Sequence, residues 1–505
     1  MVRLLFIRLI ERDEQIKAEH RVASSISTLA DEMASPGAGH LIPMAELARR
    51  LVELGFSATI LTFTNLSAPL DQLLPSLAAS VATAALPAVR MDDLPANAHD
   101  GRVLVELIRR SLPNIRDLVR SINNSSTGAA PLAALVPDFL CSMALPIAAE
   151  LGVPGYVFFP SNLAMVALTR HIVELHEGAA FGEYRDVAVP LELPGGVSLS
   201  GADIPDAFRG SFTNPRYSKL VELVRSYRLA DGILVNTLYD MEPATAEAFE
   251  QLAAEQAAGA SAFAYPPVFP VGPFVRPPDP DEAAAGASTP CLEWLDRQPT
   301  GSVVYVAFGS GGALSVEQTA ELAAGLEASG QRFLWVVRMP SLDGRGIRDD
   351  DDPLTWLPEG FLERTRGRGL AVAAWAPQVR VLSHPATAVF VSHCGWNSTL
   401  ESVGSGVPML AWPLYAEQRM NAVILEEKLG VALRVPAARE DDRCFVTCYG
   451  IATAVKELVE GGQKLWRRAE NLQKAGAHAW SPDGPSRRVL EEVAFKMKAA
   501  LGREK

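Results

Sequence analysis

The chain has 505 residues, too many for one ordinary domain, so two domains of roughly 200 to 250 residues are expected. Hydrophobic residues at 48% and charged residues at 21% mark a globular protein, and a net charge of −13 without any Lys/Arg run argues against nucleic acid or an anionic membrane as a partner. Five scattered cysteines suit a reducing compartment, and the close pair Cys444 and Cys448 has no second Cys or His pair nearby to complete a zinc site.

Met1 to Ile10 is apolar but short, broken by Arg3 and Arg8 and stopped by Glu11-Arg12-Asp13-Glu14. It is neither a secretory signal nor a membrane span, and a cytoplasmic monomer is expected. Ser35-Pro36-Gly37-Ala38-Gly39-His40 reads as a glycine-rich turn, Met44 to Leu54 carries a helical period, and Phe56 to Phe63 reads as a strand. This βαβ opening implies a parallel, doubly wound sheet. The strand before the first turn of such a sheet is central and buried on both faces, so it should be a continuous apolar run. Two segments compete for that slot. Leu4 to Ile10 is the better apolar run but lies twenty-four residues ahead of Ser35, whereas Ile26 to Ala34 adjoins the turn but carries Asp31 and Glu32. Adjacency favours Ile26 to Ala34, with residues 1 to 22 peripheral. Either choice implies a weaker central strand and a less firmly held His40.

Alternation then continues: helix over Val103 to Ile122, strand Leu132 to Val136 ending at Pro137-Asp138, helix Met143 to Leu151, strand Gly155 to Phe159. Residues 170 to 230 are less regular, the kind of insertion over a sheet edge that builds ligand pockets. Ile233 to Val235 closes the first sheet, the first domain is taken as residues 1–265, and 266–289, rich in Pro, Ala and acids, reads as a linker. The second domain, 290–484, restarts with strand Ser302 to Phe308 running into Gly309-Ser310-Gly311-Gly312. A capping box at Ser315-Val316-Glu317-Gln318 opens a helix to about Ala328, and Phe333 to Val337 is the next strand. Ser341 to Asp352 is a charged loop. Helices are expected over Ala452 to Glu460 and Lys464 to Ala475, and a last amphipathic one over 485–505 returns to the first domain.

The chemistry concentrates in Trp375 to Gln418. Ala388 to Val391 is a strand, Ser392-His393-Cys394-Gly395 a turn, and Trp396 to Glu401 a helix start. A helix N-terminus presents free N–H groups and the positive end of a dipole, so it suits a phosphate. Gly395 permits close approach, and His393, Asn397 and Ser398 add donors. Glu401, one turn past Asn397, accepts two hydrogen bonds from a vicinal diol such as a ribose. Trp375 offers a flat face for a base and Gln378 its edge contacts, while Glu417-Gln418 suits a second polyol. Base, ribose, phosphate and sugar together read as a nucleotide-sugar site.

The stretch, with W-A-P-Q at Trp375 to Gln378, H-C-G-W-N-S at His393 to Ser398, E-S at Glu401-Ser402 and E-Q at Glu417-Gln418, resembles the signature box of plant family 1 glycosyltransferases, which use UDP-sugars on small secondary metabolites. The resemblance extends from Ser35 to the C-terminus and is nearest to the branch that glucosylates phenolics such as hydroquinone and monolignols. It implies an α/β protein of GT-B architecture, two Rossmann-like domains facing across a cleft, and inverting transfer of glucose from UDP-glucose. It adds Ala376, Tyr415 and Ser310 to the donor contacts. Ser35 is either a further donor contact or a plain turn serine.

Glycosyl transfer needs a base for the acceptor hydroxyl and stabilisation of the departing diphosphate. Taken alone, His40 after Gly-x-Gly is more often a structural cap. The resemblance, through P-G-x-G-H-x-x-P, implies instead that it is the base, imidazole being the side chain that changes charge nearest neutral pH. Asp138 matches the orienting aspartate of A-L-V-x-D, with a strand-end cap as its alternative. Helix dipole and neutral donors replace a divalent ion, so no metal or other cofactor is expected. Gln418 follows the pattern of glucose-using members, and Trp412 supports a hexose. The remaining histidines and Cys394 are expected to be inert. Two other readings compete. A Rossmann oxidoreductase is disfavoured because Gly309 to Gly312 lacks the full G-x-G-x-x-G and its distal acid. A catalytically impaired nucleotide-sugar-binding protein would follow from the odd N-terminus.

Overall fold

A computed structural model describes residues 2–7, 38–64, 81–94, 100–123, 131–177, 189–209, 215–259, 265–275, 290–341, 352–436 and 445–501. The chain divides into two compact units. The first comprises Met1–Arg276, Tyr415–Glu417 and His478–Lys505, and the second Pro277–Leu414 and Gln418–Ala477.

In the first unit, β1 (Val2–Ile7) pairs in parallel with β2 (Phe56–Phe63) on one side and with β4 (Leu132–Pro137) on the other, and β3 (Val81–Leu86) extends the β2 edge. Parallel bridges from Leu135 to Gly155 and from Asp138 to Phe158 carry the order on to β5 (Tyr156–Phe159), β8 (Gly232–Val235) and β9 (Val268–Pro270). The resulting order, 3-2-1-4-5-8-9, reverses between β1 and β4, and ligands of doubly wound sheets bind at the strand ends beside such a reversal.

β1 corrects the sequence expectation. The central slot is filled by residues near the N-terminus, in register from Val2 opposite Phe56 to Ile7 opposite Leu61, and not by Ile26 to Ala34. The physical reason is the one that made the choice close: the slot takes the segment whose one charged residue, Arg3, lies near the start of the strand and is followed by the apolar run Leu4 to Ile7, over one carrying the adjacent acids Asp31 and Glu32. Residues 8–37, and with them Ser35, lie outside the described residues.

A second correction concerns the turn, because Ala38, Gly39 and His40 already form the first turn of α1 (Ala38–Glu53). The expected linker also begins too early. β9 lies inside it and pairs with β8, burying Phe269, so residues 266–275 belong to the first unit. The irregular region holds more order than expected, with α2 (Leu163–Glu177), a two-stranded hairpin of β6 (Leu191–Leu193) and β7 (Val197–Leu199), and α3 (Pro215–Ser226).

The second unit is one parallel sheet in the order β12-β11-β10-β13-β14-β15, built from β10 (Val303–Ala307), β11 (Arg332–Val337), β12 (Gly369–Ala373), β13 (Thr387–Ser392), β14 (Met409–Ala411) and β15 (Ala432–Arg434). Its reversal falls between β10 and β13, which places the Gly309 loop and the Ser392-His393 turn side by side. Every residue of β10 and β13 is buried, as the continuous apolar runs require. Ser315 caps α4 (Val316–Ser329) by accepting from Gln318 N at 3.1 Å, but the Gln318 side chain is bonded to the Val446 backbone instead of completing the box. Among the described residues no helix is long and apolar enough to cross a membrane.

Candidate active site

In the first unit the reversal brings His40 and Asp138 together. β4 ends at Pro137, and Asp138 is the cap of a 3-10 turn over Phe139–Ala144. Its Oδ1 accepts from Leu140 N at 3.0 Å and its Oδ2 lies 2.9 Å from His40 Nδ1. Both residues are buried. The geometry accommodates both readings of Asp138, orienter and cap, because a carboxylate has two oxygens, one on the His40 ring and one on the Leu140 amide. A carboxylate at Nδ1 fixes the proton there and leaves Nε2 as the basic nitrogen. The His40 ring lies 5.3 Å from the Phe139 ring, which lies 4.8 Å from Phe159. These side chains line a pocket closed by Phe208, Tyr227 and Glu417, mostly apolar around the imidazole. Tyr415 and Glu417 group with this unit. Ala416 between them is held by Asp206, whose Oδ2 accepts from Ala416 N at 2.9 Å and whose N–H donates to Ala416 O at 3.2 Å.

In the second unit β13 delivers the turn expected from the sequence. α5 (Trp396–Ser405) starts at Gly395 with no side-chain cap, so its first amides are not covered by a capping group. His393 is buried, and burial pushes its imidazole down to about 4, so it is neutral at pH 7. A Cβ on Gly309 would come within 2.6 Å of this ring, and one on Gly395 within 2.4 Å. The two glycines therefore flank the imidazole, and Gly309 is a site residue that the sequence reading passed over in favour of Ser310, which is exposed. His393 Nδ1 has no hydrogen-bond partner among the described residues. A buried nitrogen so placed beside the N-terminus of α5 fits an incoming anion.

Gln378, Ser398 and Glu401 form one network. The Gln378 amide donates to Ser398 Oγ at 2.9 Å and to Glu401 Oε2 at 2.6 Å, while its carbonyl accepts from Tyr305 at 3.3 Å. Its side chain is thus engaged at the Glu401 carboxylate, a commitment that spacing could not reveal. Trp375 is 63% exposed and presents an open indole face, Ala376 beside it is buried, and Trp396 is buried with Asn397 partly so. Gln418 Oε1 accepts from Leu414 N at 2.8 Å. Cys394 sits in the left-handed region (φ 64°), its carbonyl accepting from Asn421 Nδ2 at 2.9 Å, and burial pushes its thiol up to about 12, so it is unreactive. Ala374 (φ 61°) and Ala416 (φ 56°) are the other non-glycine residues with positive φ among the described residues. In the second unit, Ala374 directly precedes Trp375 and Cys394 directly follows His393, positions where backbone strain is tolerated when the surroundings hold it.

Residues 270–469 match the family described as UDP-glucoronosyl and UDP-glucosyl transferase. The chain is 44% identical over 472 residues to hydroquinone glucosyltransferase of Rauvolfia serpentina, covering 92% of this chain and 96% of that one. It is 41% identical over 474 residues to UDP-glycosyltransferase 72B1 of Arabidopsis thaliana, covering 92% and 95%. Among solved structures, UGT2 of Phytolacca americana complexed with UDP-2fluoro-glucose and pterostilbene is 38% identical, covers 99% of this chain and 100% of that one, and superposes with a TM-score of 0.81. With that likeness the two Rossmann-like units make up a GT-B fold, and this chain belongs to the plant family 1 UDP-glycosyltransferases.

Proposed function

We propose that the chain transfers glucose, with inversion, from UDP-glucose to a hydroxyl of a small phenolic acceptor. The observation that carries this reading is the buried His40–Asp138 pair at 2.9 Å in an aromatic pocket. An acceptor hydroxyl at Nε2 would give its proton to His40 as its oxygen attacks the anomeric carbon. Asp138 stabilises the imidazolium that results. UDP leaves from the opposite face of the sugar, so an α-linked donor yields a β-glucoside.

On the donor side, the indole of Trp375 would stack on uracil and Glu401, steadied by Gln378, would take the ribose hydroxyls. The α5 N-terminus with His393, Asn397 and Ser398 would hold the diphosphate. Since dipole and neutral donors meet the leaving charge, the reaction is independent of a divalent ion. Glu417 and Gln418 read the sugar, and Gln418 with Trp412 favours glucose over galactose. The relatives point to the same substrate class, one being named for hydroquinone and another solved with pterostilbene. An impaired binding protein is the weaker reading, because the orienting pair is intact.

The test is to incubate the protein with UDP-glucose or UDP-galactose and a panel of phenols and to follow UDP release and the anomeric configuration of the product. A β-glucoside formed equally well with and without EDTA, with glucose preferred, is expected. An α-linked product, preference for galactose, or loss of activity on chelation with recovery on adding magnesium would each overturn the corresponding part.

A further inference from the structure

Two residues that line the His40 pocket carry buried hydroxyls with no role in the proton transfer. Ser161, two residues beyond the end of β5, and Tyr227, which follows α3, both line the pocket and are more than nine-tenths buried. Neither Ser161 Oγ nor Tyr227 Oη has a hydrogen-bond partner among the described residues. Thr169, the neighbouring hydroxyl on the same wall, is satisfied by donating to Val166 O at 2.8 Å. Buried hydroxyls normally find a partner, and a site left with two open ones favours a ligand that completes them.

We propose that Ser161 and Tyr227 are specificity-determining residues that hydrogen-bond a second polar group on the acceptor, so that the favoured substrates are phenols carrying a further hydroxyl or carbonyl away from the one that is glucosylated. This rests on the His40 pocket being the acceptor site. Burial, with Tyr265 and Asp138 close by, raises the Tyr227 phenol well above its ordinary value, so it keeps a proton to donate. Ser161 offers both a donor and an acceptor. The Tyr227 ring meets Phe159 edge-on at 6.3 Å, and Phe159 adjoins Phe139 next to His40, so a flat acceptor would run along this aromatic wall from the base toward the two hydroxyls.

The experiment compares isosteric pairs that differ only in the second polar group: benzene-1,4-diol against 4-methylphenol, and 4-(2-hydroxyethyl)phenol against 4-propylphenol. kcat/KM is measured for the wild type, Ser161→Ala, Tyr227→Phe and the double variant. In at least one pair the wild type should favour the polar member by about tenfold or more after the twofold statistical correction for the symmetric diol. Each substitution should shrink that ratio, and the double variant should bring it to about unity. A wild-type ratio near unity in both pairs overturns the proposal. So does equal loss on both members in the variants, since that leaves the ratio unchanged and marks general damage. Calorimetric affinities of the same phenols for the UDP-bound protein read the preference without turnover. If the wild type glucosylates no phenol, the proposed function falls, while the affinity ratios still decide this inference.

Discussion

Asp138 shows what one residue can carry: it closes the end of β4 onto the Phe139 turn and at the same time aims His40. His40→Ala should lower turnover by about two to four orders of magnitude while UDP still binds, because only the proposed base is removed. Asp138→Asn keeps one acceptor oxygen and part of the tautomer control, so its loss should be smaller. Steady-state kinetics with calorimetric UDP binding tests both, and near-full activity in the alanine variant would remove His40 from its role. His393 makes a different prediction, about stability. Its folded-state imidazole titrates near 4 and that of the unfolded chain near the ordinary 6.5, so between these values the unfolded chain binds the extra proton. The stability from burying a neutral imidazole is therefore complete above about pH 6.5 and is lost as pH falls toward 4, by on the order of 3 kcal/mol. Denaturation midpoints measured from pH 7 to 4.5 should fall less steeply in His393→Asn than in the wild type. Parallel slopes would mean the ring is not held neutral.

At the scale of elements, β1 is the segment that sequence reasoning misplaced, and the reason is instructive. Proximity to the glycine turn was weighed against apolar continuity, and in a slot flanked on both sides by parallel strands continuity prevails, whatever length of chain must then lead back to α1. Removing residues 1–7 should abolish cooperative unfolding of the first unit and with it glucoside formation. If instead Ile26 to Ala34 were the strand, that deletion would be nearly silent in both circular-dichroism melts and assays. The donor stretch was far more legible. The β13 turn and α5 follow from a four-residue apolar run, a glycine and a helix start, and the spacing of Asn397 and Glu401 depends on nothing distant. What stayed hidden were contacts across the sheet, such as Tyr305 with Gln378 and Gly309 with His393. These join residues 73 and 84 positions apart, and only the strand order brings them together. α2 was missed for a related reason: nine of its twelve residues that can be assessed are buried and none is exposed, which leaves no solvent face to mark a period.

At the scale of the whole molecule, the chain returns to its first unit after completing the second, at His478 rather than at the expected 485. Trp480 marks the return, its ring 5.5 Å from that of Phe274 and beneath the Arg50 guanidinium at 4.3 Å. The last helix, α6 (Pro485–Ala500), then lays Leu490, Val493, Ala494 and Met497, spaced i, i+3, i+4 and i+7, into the same core as Leu51, Phe56 and Val136. Lys498 Nζ donates to Leu54 O at 2.7 Å and fastens the end of the helix to the end of α1. The C-terminus is thus part of the layer that packs on α1, β2 and β4, with His40 in the first turn of α1 and Asp138 presented from the end of β4. Met497 is fully buried, so Met497→Ala should lower the stability of the first unit by about 2 to 5 kcal/mol, from lost transfer energy and the cavity left behind. Phe495, two residues earlier and 72% exposed, is the matched control, and Phe495→Ala should fall within about 0.5 kcal/mol of the wild type. Chemical denaturation of both variants decides the point: if the two are indistinguishable, the last helix is an appendage and the support for His40 must come from the first 276 residues alone.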